Sequence, residues 1–330
     1  MTGTVLILTE KRDTTADLVV LELESREAPF VRIDPAEFPR TLGLTGELDR
    51  NGWTGTLDTG SRSVRLADVR AVYYRRPGIP AVPPGLTSAE TQWATREAIG
   101  GTYGLLGALD CRWVNHPARN ATAGYKPLQL AVAVECGLAV PRSLITHDPE
   151  RARRFADQVG RLICKPIISG AIVEEGVGKG AFASLVDPAD LDDSVRTTAH
   201  LFQQWVEKAH EVRLTVVGEE LFAAEIHAGS SAARIDWRSD YGALTYQIAQ
   251  VPEPVAAGVQ AFVSRLGLRY GAFDFVVRPD GTWVFLEVNP NGQWGWIQAH
   301  TGLPIAAALA DLLQQGASTH ARTRPATTHR

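Results

Sequence analysis

Apolar runs and helical spacing divide the first third of the chain into a small α/β pattern. "TVLIL" (4–8) is a continuous apolar run of strand length, and residues 14–26 have the pattern of a helix capped by Asp13 or Thr14. The other elements predicted here are hairpins in "LTGELDRNGWTGTLDTGSRSVRL", a strand in "VRAVYYRRP", a helix from about Ser88 to Leu109 and a short strand before "NHP". Together they predict a small α/β domain over residues 1–116.

The middle of the chain alternates helices and strands. The predicted elements are a helix in "KPLQLAVAVECG", a strand in "RSLIT", a helix at 148–158, and strands in "RLICKPI" and "HLFQQWV". Between the last two lies "SGAIVEEGVGKGAFAS", which is rich in glycine and lacks helical periodicity. Such a segment is typical of a mobile loop or a hairpin. We assign residues 117–206 to a central domain.

The last third is rich in strands. "EVRLTVVG" and "ELFAAEIH" flank a tight Gly218-Glu219 turn, and "YGAFDFVV" and "TWVFLEV" flank "RPDG". Helices are predicted at 254–266 and 303–314. This pattern favours a C-terminal domain over 207–316 with an antiparallel sheet, followed by a polar tail, 317–330, that we expect to be disordered. The fold class is therefore α/β with an α+β C-terminal part.

Composition excludes several classes of protein. The 330 residues are 45% hydrophobic and 21% charged, with a net charge of −4, so no basic field for nucleic acid is present. No apolar run reaches the ~20 residues of a membrane helix, and "MTGTVLILTEKRD" lacks the pattern of a signal peptide. The three cysteines have no metal-type spacing. We therefore expect a cytoplasmic protein without nucleic-acid or membrane partners.

The stretch "FLEVNPNGQW" places a carboxylate inside an apolar strand. Because side chains alternate along a strand, Glu287 and Asn289 are predicted to share a face. If Asp280-Gly281 is a two-residue turn, Asp274 lies directly opposite Glu287; a turn with a bulge would shift that register. A buried carboxylate needs a partner. Oxygen ligands suit Mg²⁺, whereas pairing with an arginine is the structural alternative, and the pattern leaves both open.

Lysine is scarce, with five lysines against 28 arginines. Lys165 ends an apolar strand and Lys126 precedes a helix, so both could reach phosphate oxygens. The glycine-rich segment after Lys165 could cover phosphates with backbone N–H groups, although a surface linker is the commoner case. The chain has neither a GxxxxGK[ST] motif nor a strand–GxGxxG–helix unit, which argues against P-loop and Rossmann folds.

The strand beginning at Glu211 has an alternation of its own. Glu211, Arg213 and Thr215 are predicted to share one face, with valine and leucine on the other. Glu211 could accept hydrogen bonds from ribose hydroxyls and Arg213 could hold a phosphate. An exposed polar face of an antiparallel sheet is the alternative.

In their order along the chain, these features resemble the ATP-grasp superfamily, and more closely its ribosomal-peptide maturases, the graspetide (microviridin-type) synthetases. The resemblance covers about residues 70–315. It rests on "VYYRRP", "KPLQL", "GLAVPRSLIT", "VRLTVVG", "FAAEIH", "IDWR", "GAFDFVV" and "FLEVNPNGQW". Single pieces occur widely, but the ordered set is specific. The implied architecture is an ATP-grasp fold preceded by a small α/β domain.

The resemblance also implies roles for individual residues. Lys126 and Lys165 would bind ATP phosphates, and the hinge Gln204–Trp205–Val206 would receive adenine. The remaining implied roles are ribose binding by Glu211, Mg²⁺ binding by Asp274, Glu287 and Asn289, charge neutralisation at the reacting groups by Arg213 and Arg238, and peptide contacts by Arg75 and Arg76. The hinge of the family usually carries glutamate where this chain has Gln204.

The implied activity is ATP- and Mg²⁺-dependent closure of a ribosomal precursor peptide, made of a leader and a core. Asp or Glu side chains would be activated as acyl phosphates and joined to Ser, Thr or Lys side chains. Two alternatives stay open. One is an ATP-grasp ligase of the RimK or glutathione-synthetase type, which joins small carboxylates to amines; the other is an inactive nucleotide-binding regulator. Whether the protein forms a homodimer is also left open.

Overall fold

The computed structural model describes residues 3–168, 171–174, 177–180 and 182–315. The chain divides into two compact units, one of Met1–Val114 with Leu309–Arg330 and one of Asn115–Ala308. The tail predicted at 317–330 lies outside the described residues. None of the helices in the described ranges has the length and apolarity needed to cross a bilayer.

The strands of the described ranges are numbered in chain order. They are β1 Thr4–Leu8, β2 Phe30–Ile33, β3 Gly43–Asp49, β4 Gly52–Asp58, β5 Ser63–Arg65, β6 Val69–Tyr74, β7 Arg112–Val114, β8 Ser143–Thr146, β9 Leu162–Lys165, β10 Ala171–Glu174, β11 Val177–Gly180, β12 Ser184–Val186, β13 His200–Gln204, β14 His210–Val217, β15 Glu220–Ala228, β16 Leu244–Ile248, β17 Tyr270–Val277 and β18 Trp283–Asn289.

The α-helices of the same ranges are numbered likewise. They are α1 Thr14–Ser25, α2 Ser88–Gly107, α3 Pro117–Ala123, α4 Lys126–Glu135, α5 Pro149–Val159, α6 Ser231–Ile235, α7 Glu253–Leu266, α8 Gly295–Thr301 and α9 Ile305–Gln314.

The first unit contains a parallel sheet in the order β2-β1-β6-β7 and an antiparallel sheet in the order β3-β4-β5. Helix α1 begins where the sequence predicts, because the Asp13 carboxylate accepts hydrogen bonds from the N–H groups of Thr15 and Ala16. Apolar side chains of both sheets, among them Leu6, Leu57 and Val72, form one core. The predicted α/β character of this part is confirmed.

The described part of the second unit contains a four-stranded and a five-stranded antiparallel sheet and a separate pair of strands. The smaller sheet has the order β12-β9-β13-β8, and helix α5 packs on it through a core that includes Phe155 and Phe202. The glycine-rich segment contributes the antiparallel pair β10 and β11. Of the two structures that the sequence favours for this segment, the described part forms the hairpin.

The larger sheet has the order β16-β15-β14-β17-β18 and is antiparallel throughout. One of its faces is covered by α4 and α7, which bury a continuous apolar core containing Val212, Leu214, Phe262, Phe273 and Phe285. The predicted antiparallel C-terminal sheet is therefore confirmed, and its other face is left for polar side chains.

The pairing of β17 with β18 confirms that Asp274 lies directly opposite Glu287. The turn that joins the strands differs from the predicted one, because it spans three residues, 279–281, instead of two. The Arg278 N–H donates to the Thr282 carbonyl at 2.9 Å and closes the turn. This longer turn shifts the register by one residue in the half of the hairpin nearest the turn.

A β-bulge restores the predicted register. Phe275 pairs with Phe285, whereas Asp274 pairs with Glu287, so Leu286 is the extra residue. A bulge also re-aims side chains. Phe285 consequently points into the apolar core, while Glu287 points to the opposite, polar face. With strict alternation, both side chains would lie on the same face.

Several short elements were not predicted: β2, β12, β16, α3, α6 and α8. Each has seven residues or fewer, so neither a helical nor an alternating period is long enough to stand out in the sequence. Helix α8 follows the "NPNGQW" stretch directly, and its start is anchored by Trp294, which is fully buried.

Candidate active site

A pocket in the second unit lies on the polar face of the larger sheet and extends to β9 and to the end of β13. It brings together eleven of the thirteen residues for which the sequence predicts a role. They are Lys126, Lys165, Gln204, Trp205, Val206, Glu211, Arg213, Arg238, Asp274, Glu287 and Asn289. Residues from opposite ends of a 164-residue stretch thus converge on one cavity.

The two opposed carboxylates of this pocket are paired with cationic side chains. Asp274 accepts from Arg213 Nη1 at 2.7 Å and from Arg238 Nη2 at 2.5 Å. Glu287 accepts from the same Arg238 nitrogen at 2.7 Å, and its second oxygen lies 3.0 Å from Lys126 Nζ. Arg238 therefore bridges the two acids, which resolves how like charges can face each other across a strand pair.

This pairing controls the protonation of Glu287. Burial raises the pKa of its carboxyl group, but the charges of Arg238, Lys126 and Lys165 outweigh burial and hold the pKa well below its usual value. Burial alone lowers the pKa of Arg238, and the three acids around it, Asp274 foremost, more than reverse that effect. Both groups are therefore ionised at neutral pH.

Helix α4 positions Lys126 and the strand that carries Glu287. Lys126 begins the helix, with proline next to it, and its Nζ donates to the Pro166 carbonyl at 2.6 Å. One turn later, the buried Gln129 side chain accepts from the Val288 N–H at 2.9 Å and donates to the Val288 carbonyl at 2.9 Å. Because Val288 adjoins Glu287 in β18, Gln129 fixes the position of the Glu287 carboxylate relative to Lys126.

The turn after β18 explains why "NPNG" follows the carboxylate. Arg213 Nη2 donates to the Gln293 carbonyl at 3.2 Å. A Cβ atom at Gly292 would lie 2.6 Å from the Cβ of Ala272 and 2.8 Å from Arg213 Nη2. Only glycine leaves room for the arginine at this position.

Glu211 and Lys208 form a buried ion pair at the other end of the pocket. Lys208 Nζ donates to Glu211 Oε1 at 2.7 Å. Within the described residues, Glu211 Oε2 is buried and has no hydrogen-bond partner. Burial raises the pKa of Glu211, against the opposing effect of Lys208. A buried acceptor without a donor costs free energy, and a ligand hydroxyl at this place would recover it.

The hinge segment has its backbone fixed by neighbouring strands. The Gln204 N–H donates to the Arg142 carbonyl at 2.9 Å, and the Trp205 N–H to the Arg161 carbonyl at 2.8 Å. Gln203 donates through Nε2 to Ser143 Oγ at 2.9 Å, and its buried Oε1 lacks a partner among the described residues. The hinge therefore presents an amide oxygen that no described donor satisfies.

Lys165 stands at the end of β9, paired across the sheet with Leu201. Burial lowers the pKa of its ammonium group, Lys126 and Arg238 lower it further, and Glu287 opposes them. Anionic groups entering the pocket would favour the charged form of Lys165. The side chain is thus suited to an anionic ligand such as a phosphate.

The chemistry of the donor set fits a hard divalent cation. Asp274, Glu287 and Asn289 offer oxygen ligands only, and an ionised carboxylate has about four lone-pair sites, so accepting from arginine leaves capacity for a metal. Asn289 Oδ1 accepts from the Asn291 N–H at 2.9 Å and keeps its second lone pair. Pairing with arginine, the alternative left open by the sequence, is present in the structure, and it is compatible with a metal.

Arg75 and Arg76 lie in the first unit, outside this pocket. Arg75 is 1% exposed, with its Nε 3.5 Å from the Asp13 carboxylate, so it contacts the residue that caps α1. Arg76 is exposed. A peptide contact stays a prediction for both, and for Arg75 it would require the side chain to move away from Asp13.

Five side chains that line or support the pocket were given no role from the sequence: Gln129, Gln203, Lys208, Asp236 and Trp237. Lys208 was among the scarce lysines, and its i,i+3 spacing to Glu211 was the signal that could have identified it. Asp236 and Trp237 lie within the "IDWR" motif. The Asp236 carboxylate accepts from the Arg238 N–H at 3.1 Å, and the Trp237 ring lies 5.0 Å from the Arg238 guanidinium. Both thereby orient Arg238.

Protein-family models match almost the whole chain. The model of the RimK-like ATP-grasp domain matches residues 123–313, more than half of the chain, and the model of the MvdD pre-ATP grasp domain matches residues 4–121. Among curated proteins, the carbamoyl phosphate synthase large chain of Methanothrix thermoacetophila is 23% identical over 195 residues. That match covers 54% of this chain but only 17% of the relative.

Solved structures resemble most of the chain. A RiPP-associated ATP-grasp ligase of Chryseobacterium gregarium, in complex with ADP and a leader and core peptide, is 27% identical, with a TM-score of 0.87 over 94% of this chain and 96% of that one. Macrocyclase MdnC of Microcystis aeruginosa, bound with precursor peptide MdnA, is 28% identical (TM-score 0.83, 94% and 99%). Macrocyclase MdnB of the same organism is 31% identical (TM-score 0.78, 95% and 100%).

Proposed function

The chain belongs to the ATP-grasp family of ATP-dependent ligases, and we propose that it is a macrocyclase acting on a ribosomally made precursor peptide. It activates Asp or Glu side chains of the peptide core as acyl phosphates and closes them onto Ser, Thr or Lys side chains. The observation that carries this proposal is the extent of the likeness. Macrocyclases and a peptide-bound ligase share at least 27% identity with this chain over 94–95% of its length.

In this proposal, ATP lies along the pocket from the hinge to the carboxylate pair. Gln203–Val206 border the adenine, and the unsatisfied Glu211 Oε2 accepts from a ribose hydroxyl. Lys126 and Lys165 face the phosphates as point charges. The charges of the pocket support this direction, because its cations cluster at the end that carries Asp274 and Glu287.

Asp274, Glu287 and Asn289 would hold Mg²⁺, which would neutralise charge on the phosphate oxygens. The chain's own residues supply the rest of the electrostatic stabilisation. Arg238 is half-buried between two acids, so its guanidinium is fixed in place before substrate binds. Preorganised cations of this kind stabilise the charge that develops during phosphoryl transfer.

The proposed reaction has two steps. An oxygen of the peptide carboxylate attacks the γ-phosphorus of ATP, the bond to the bridging oxygen breaks, and ADP leaves. A hydroxyl or amine of the same peptide then attacks the acyl carbon, loses its proton and expels phosphate. Each ring therefore removes one water from the peptide and converts one ATP to ADP and phosphate. In this proposal, Arg213 and Arg238 neutralise the carboxylate and its acyl phosphate.

A leader segment held away from this pocket would raise the effective concentration of the core at the acyl phosphate. Weak contacts between core and pocket then suffice, because the second step becomes intramolecular.

The test is to incubate the enzyme with ATP, Mg²⁺ and the precursor and to weigh the peptide. We expect a loss of one water for each ring, with ADP as the nucleotide product. A precursor whose core Asp and Glu residues are replaced by Asn and Gln is the matched control and should keep its mass. A gain in mass by addition of a free amino acid would favour the small-molecule ligase, and formation of AMP would refute the acyl-phosphate mechanism.

A further inference from the structure

A second cluster of ligating side chains lies on β14 and β15, apart from the pocket. It consists of His210, Glu225 and His227, and we call it the His–Glu–His cluster. One ligand atom from each residue lies within 4.8 Å of the other two. Glu225 is central, with Oε2 2.8 Å from His227 Nε2 and Oε1 3.8 Å from His210 Nε2.

The sheet itself brings these residues together. Val212 pairs with Glu225, and Glu211 pairs with Ile226, so the next position along places His210 across from His227. All three side chains project on the face of the sheet that bears the apolar core, opposite to Glu211 and Arg213. They lie at its margin, where 19%, 26% and 36% of the side chains of His210, Glu225 and His227 remain exposed. A small ion can therefore reach them from solvent.

We propose that the His–Glu–His cluster binds one divalent transition-metal ion, with Zn²⁺ preferred over Mg²⁺. Two imidazole nitrogens and one carboxylate oxygen form a ligand set typical of zinc, whereas Mg²⁺ takes oxygen ligands and keeps its waters. Three protein ligands leave a fourth tetrahedral position, which water fills. The pocket at Asp274 and Glu287 offers oxygen only, so the two sites differ in the metal that each selects.

The spacing of the ligand atoms fits such an ion after small movements. Bonds of about 2.0–2.2 Å with tetrahedral angles separate ligand atoms by roughly 3.3–3.6 Å. His210 Nε2 lies 3.8 Å from Glu225 Oε1, and His227 Nε2 lies 2.8 Å from Glu225 Oε2. The carboxylate must therefore turn to offer one oxygen to an ion between both nitrogens, and the shorter separation must widen. The metal takes the place of the hydrogen between His227 Nε2 and Glu225 Oε2, and His227 ligates through Nε2 as the tautomer that carries its proton on Nδ1.

The two imidazole rings of the cluster are neighbours on adjacent strands. The ring centroids of His210 and His227 lie 5.1 Å apart at an interplanar angle of 40°. One ion can therefore contact both rings together with Glu225.

A metal at this place would tie the start of β14 to β15. His210 precedes Glu211, whose side chain enters the pocket on the other face of the same strand. The metal therefore fixes the strand position from which Glu211 faces the nucleotide. The bond is a structural tether, and the proposal assigns it no part in the chemical steps.

The experiment uses the full-length protein with its affinity tag removed, stripped of metal and kept in excess Mg²⁺. Zn²⁺ is titrated calorimetrically, and Co²⁺ is added in parallel, because tetrahedral Co²⁺ absorbs visible light strongly and octahedral Co²⁺ does not. We expect one Zn²⁺ per chain, a visible Co²⁺ band, and a melting temperature that rises with Zn²⁺ concentration as mass action requires.

His210→Gln and His227→Gln should each weaken Zn²⁺ binding by at least about tenfold and abolish the Co²⁺ band. His147→Gln, which changes an exposed histidine elsewhere, is the matched control and should bind as the unchanged protein does. A variant that loses its circular dichroism spectrum is replaced by Glu225→Gln. The proposal is wrong if the unchanged protein binds no Zn²⁺, or if the folded cluster variants bind it as His147→Gln does.

Discussion

The two faces of the five-stranded sheet are built from the same strands but satisfy their side chains differently. On β14, Val212, Leu214 and Val216 point into the apolar core, and each is at most 1% exposed. The alternate residues Glu211, Arg213 and Thr215 are also buried, yet each retains a polar atom without a hydrogen-bond partner among the described residues. Burial alone therefore does not distinguish the two faces.

The two faces differ in how fully contacts within the protein satisfy their side chains. On the apolar face, α4 and α7 pack against the core side chains, and this burial contributes to the free energy of unfolding. The polar face holds groups whose desolvation is only partly compensated, and a ligand would complete their hydrogen bonds. We therefore expect one face to stabilise the fold and the other to bind the ligand, so substitutions on the two faces should separate stability from activity.

The largest expected effect is on the polar face. Glu287→Gln removes the anion that contacts Arg238 and Lys126, so turnover should fall by at least about ten-thousandfold, or roughly 5.4 kcal/mol of activation free energy. The amide keeps the shape of the side chain and can still accept hydrogen bonds, so the fold should persist. Peptide mass spectrometry over time measures the rate, and circular dichroism checks the fold.

A folded Glu287→Gln variant that cyclises peptide at the original rate would show that the carboxylate pair is structural. Glu219→Gln is the matched control, because Glu219 lies in the exposed turn between β14 and β15. Its rate should equal that of the unchanged enzyme.

The next effect is on the apolar face. Phe262 on α7 is fully buried, with ring centroids 5.3 Å from Phe273 and 5.6 Å from Phe285. Phe262→Ala should lower the free energy of unfolding by about 3–5 kcal/mol, measured by urea denaturation. Well below its melting temperature, the variant should cyclise peptide within about tenfold of the original rate. Loss of activity without loss of stability would contradict the expectation that the apolar face serves only stability.

The β17–β18 hairpin shows how far the sequence could predict this sheet. Apolar alternation and the "DG" signal correctly predict both strands and the opposition of Asp274 and Glu287. They do not predict the three-residue turn or the bulge at Leu286, whose effects on register cancel. A bulge has no composition of its own here, and it forms because Phe285 must reach the core while Glu287 must reach the pocket.

The gathering of the named residues in one pocket could be predicted, but their contacts could not. Ordered motifs and the family resemblance named eleven residues that line the pocket, and their roles stay predictions. Gln204, Trp205 and Val206 carry no charge and were named from the resemblance alone. The bridge from Arg238 to Asp274 and Glu287 joins residues 36 and 49 positions apart, and its geometry depends on how "IDWR" folds between strands. No local pattern reports such distances, which is also why Gln129 was not assigned.

A smaller effect is expected at Lys165, a residue of the pocket that should affect binding without affecting stability. Lys165→Ala removes charge-assisted hydrogen bonds worth about 1.5–3 kcal/mol, so affinity for a non-hydrolysable ATP analogue should fall roughly ten- to a hundredfold. Burial lowers the pKa of Lys165, which means that the ligand-free fold disfavours its charge. Its removal should therefore leave the free energy of unfolding unchanged or higher, in contrast to Phe262→Ala.

Calorimetric titration measures the affinity of Lys165→Ala, and Lys11→Ala, which changes an exposed lysine of the first unit, is the control for general charge. Equal affinity in both variants would remove Lys165 from the phosphate site. A large loss of stability in Lys165→Ala would mean that the lysine stabilises the fold.

The last effect, about as large as that at Lys165, concerns one hydrogen bond to Glu211. Its Oε1 accepts from Lys208, and its Oε2 is the buried acceptor without a donor. If a ribose hydroxyl supplies that donor, ATP should bind more tightly than 2′-deoxy-ATP or 3′-deoxy-ATP by about 1.5–3 kcal/mol, since the acceptor is charged. In Glu211→Gln, the amide oxygen can stay with Lys208, which leaves an NH₂ group where Oε2 stood. That group donates and cannot accept, so the preference for the intact ribose should fall to about twofold or less.

Lys165→Ala, by contrast, should weaken the binding of all three nucleotides by the same factor, because it acts on the phosphates. Titration of the three nucleotides into both variants gives these ratios directly. A preference that survives in Glu211→Gln would place the ribose elsewhere and leave the buried oxygen of Glu211 as a structural defect of the polar face.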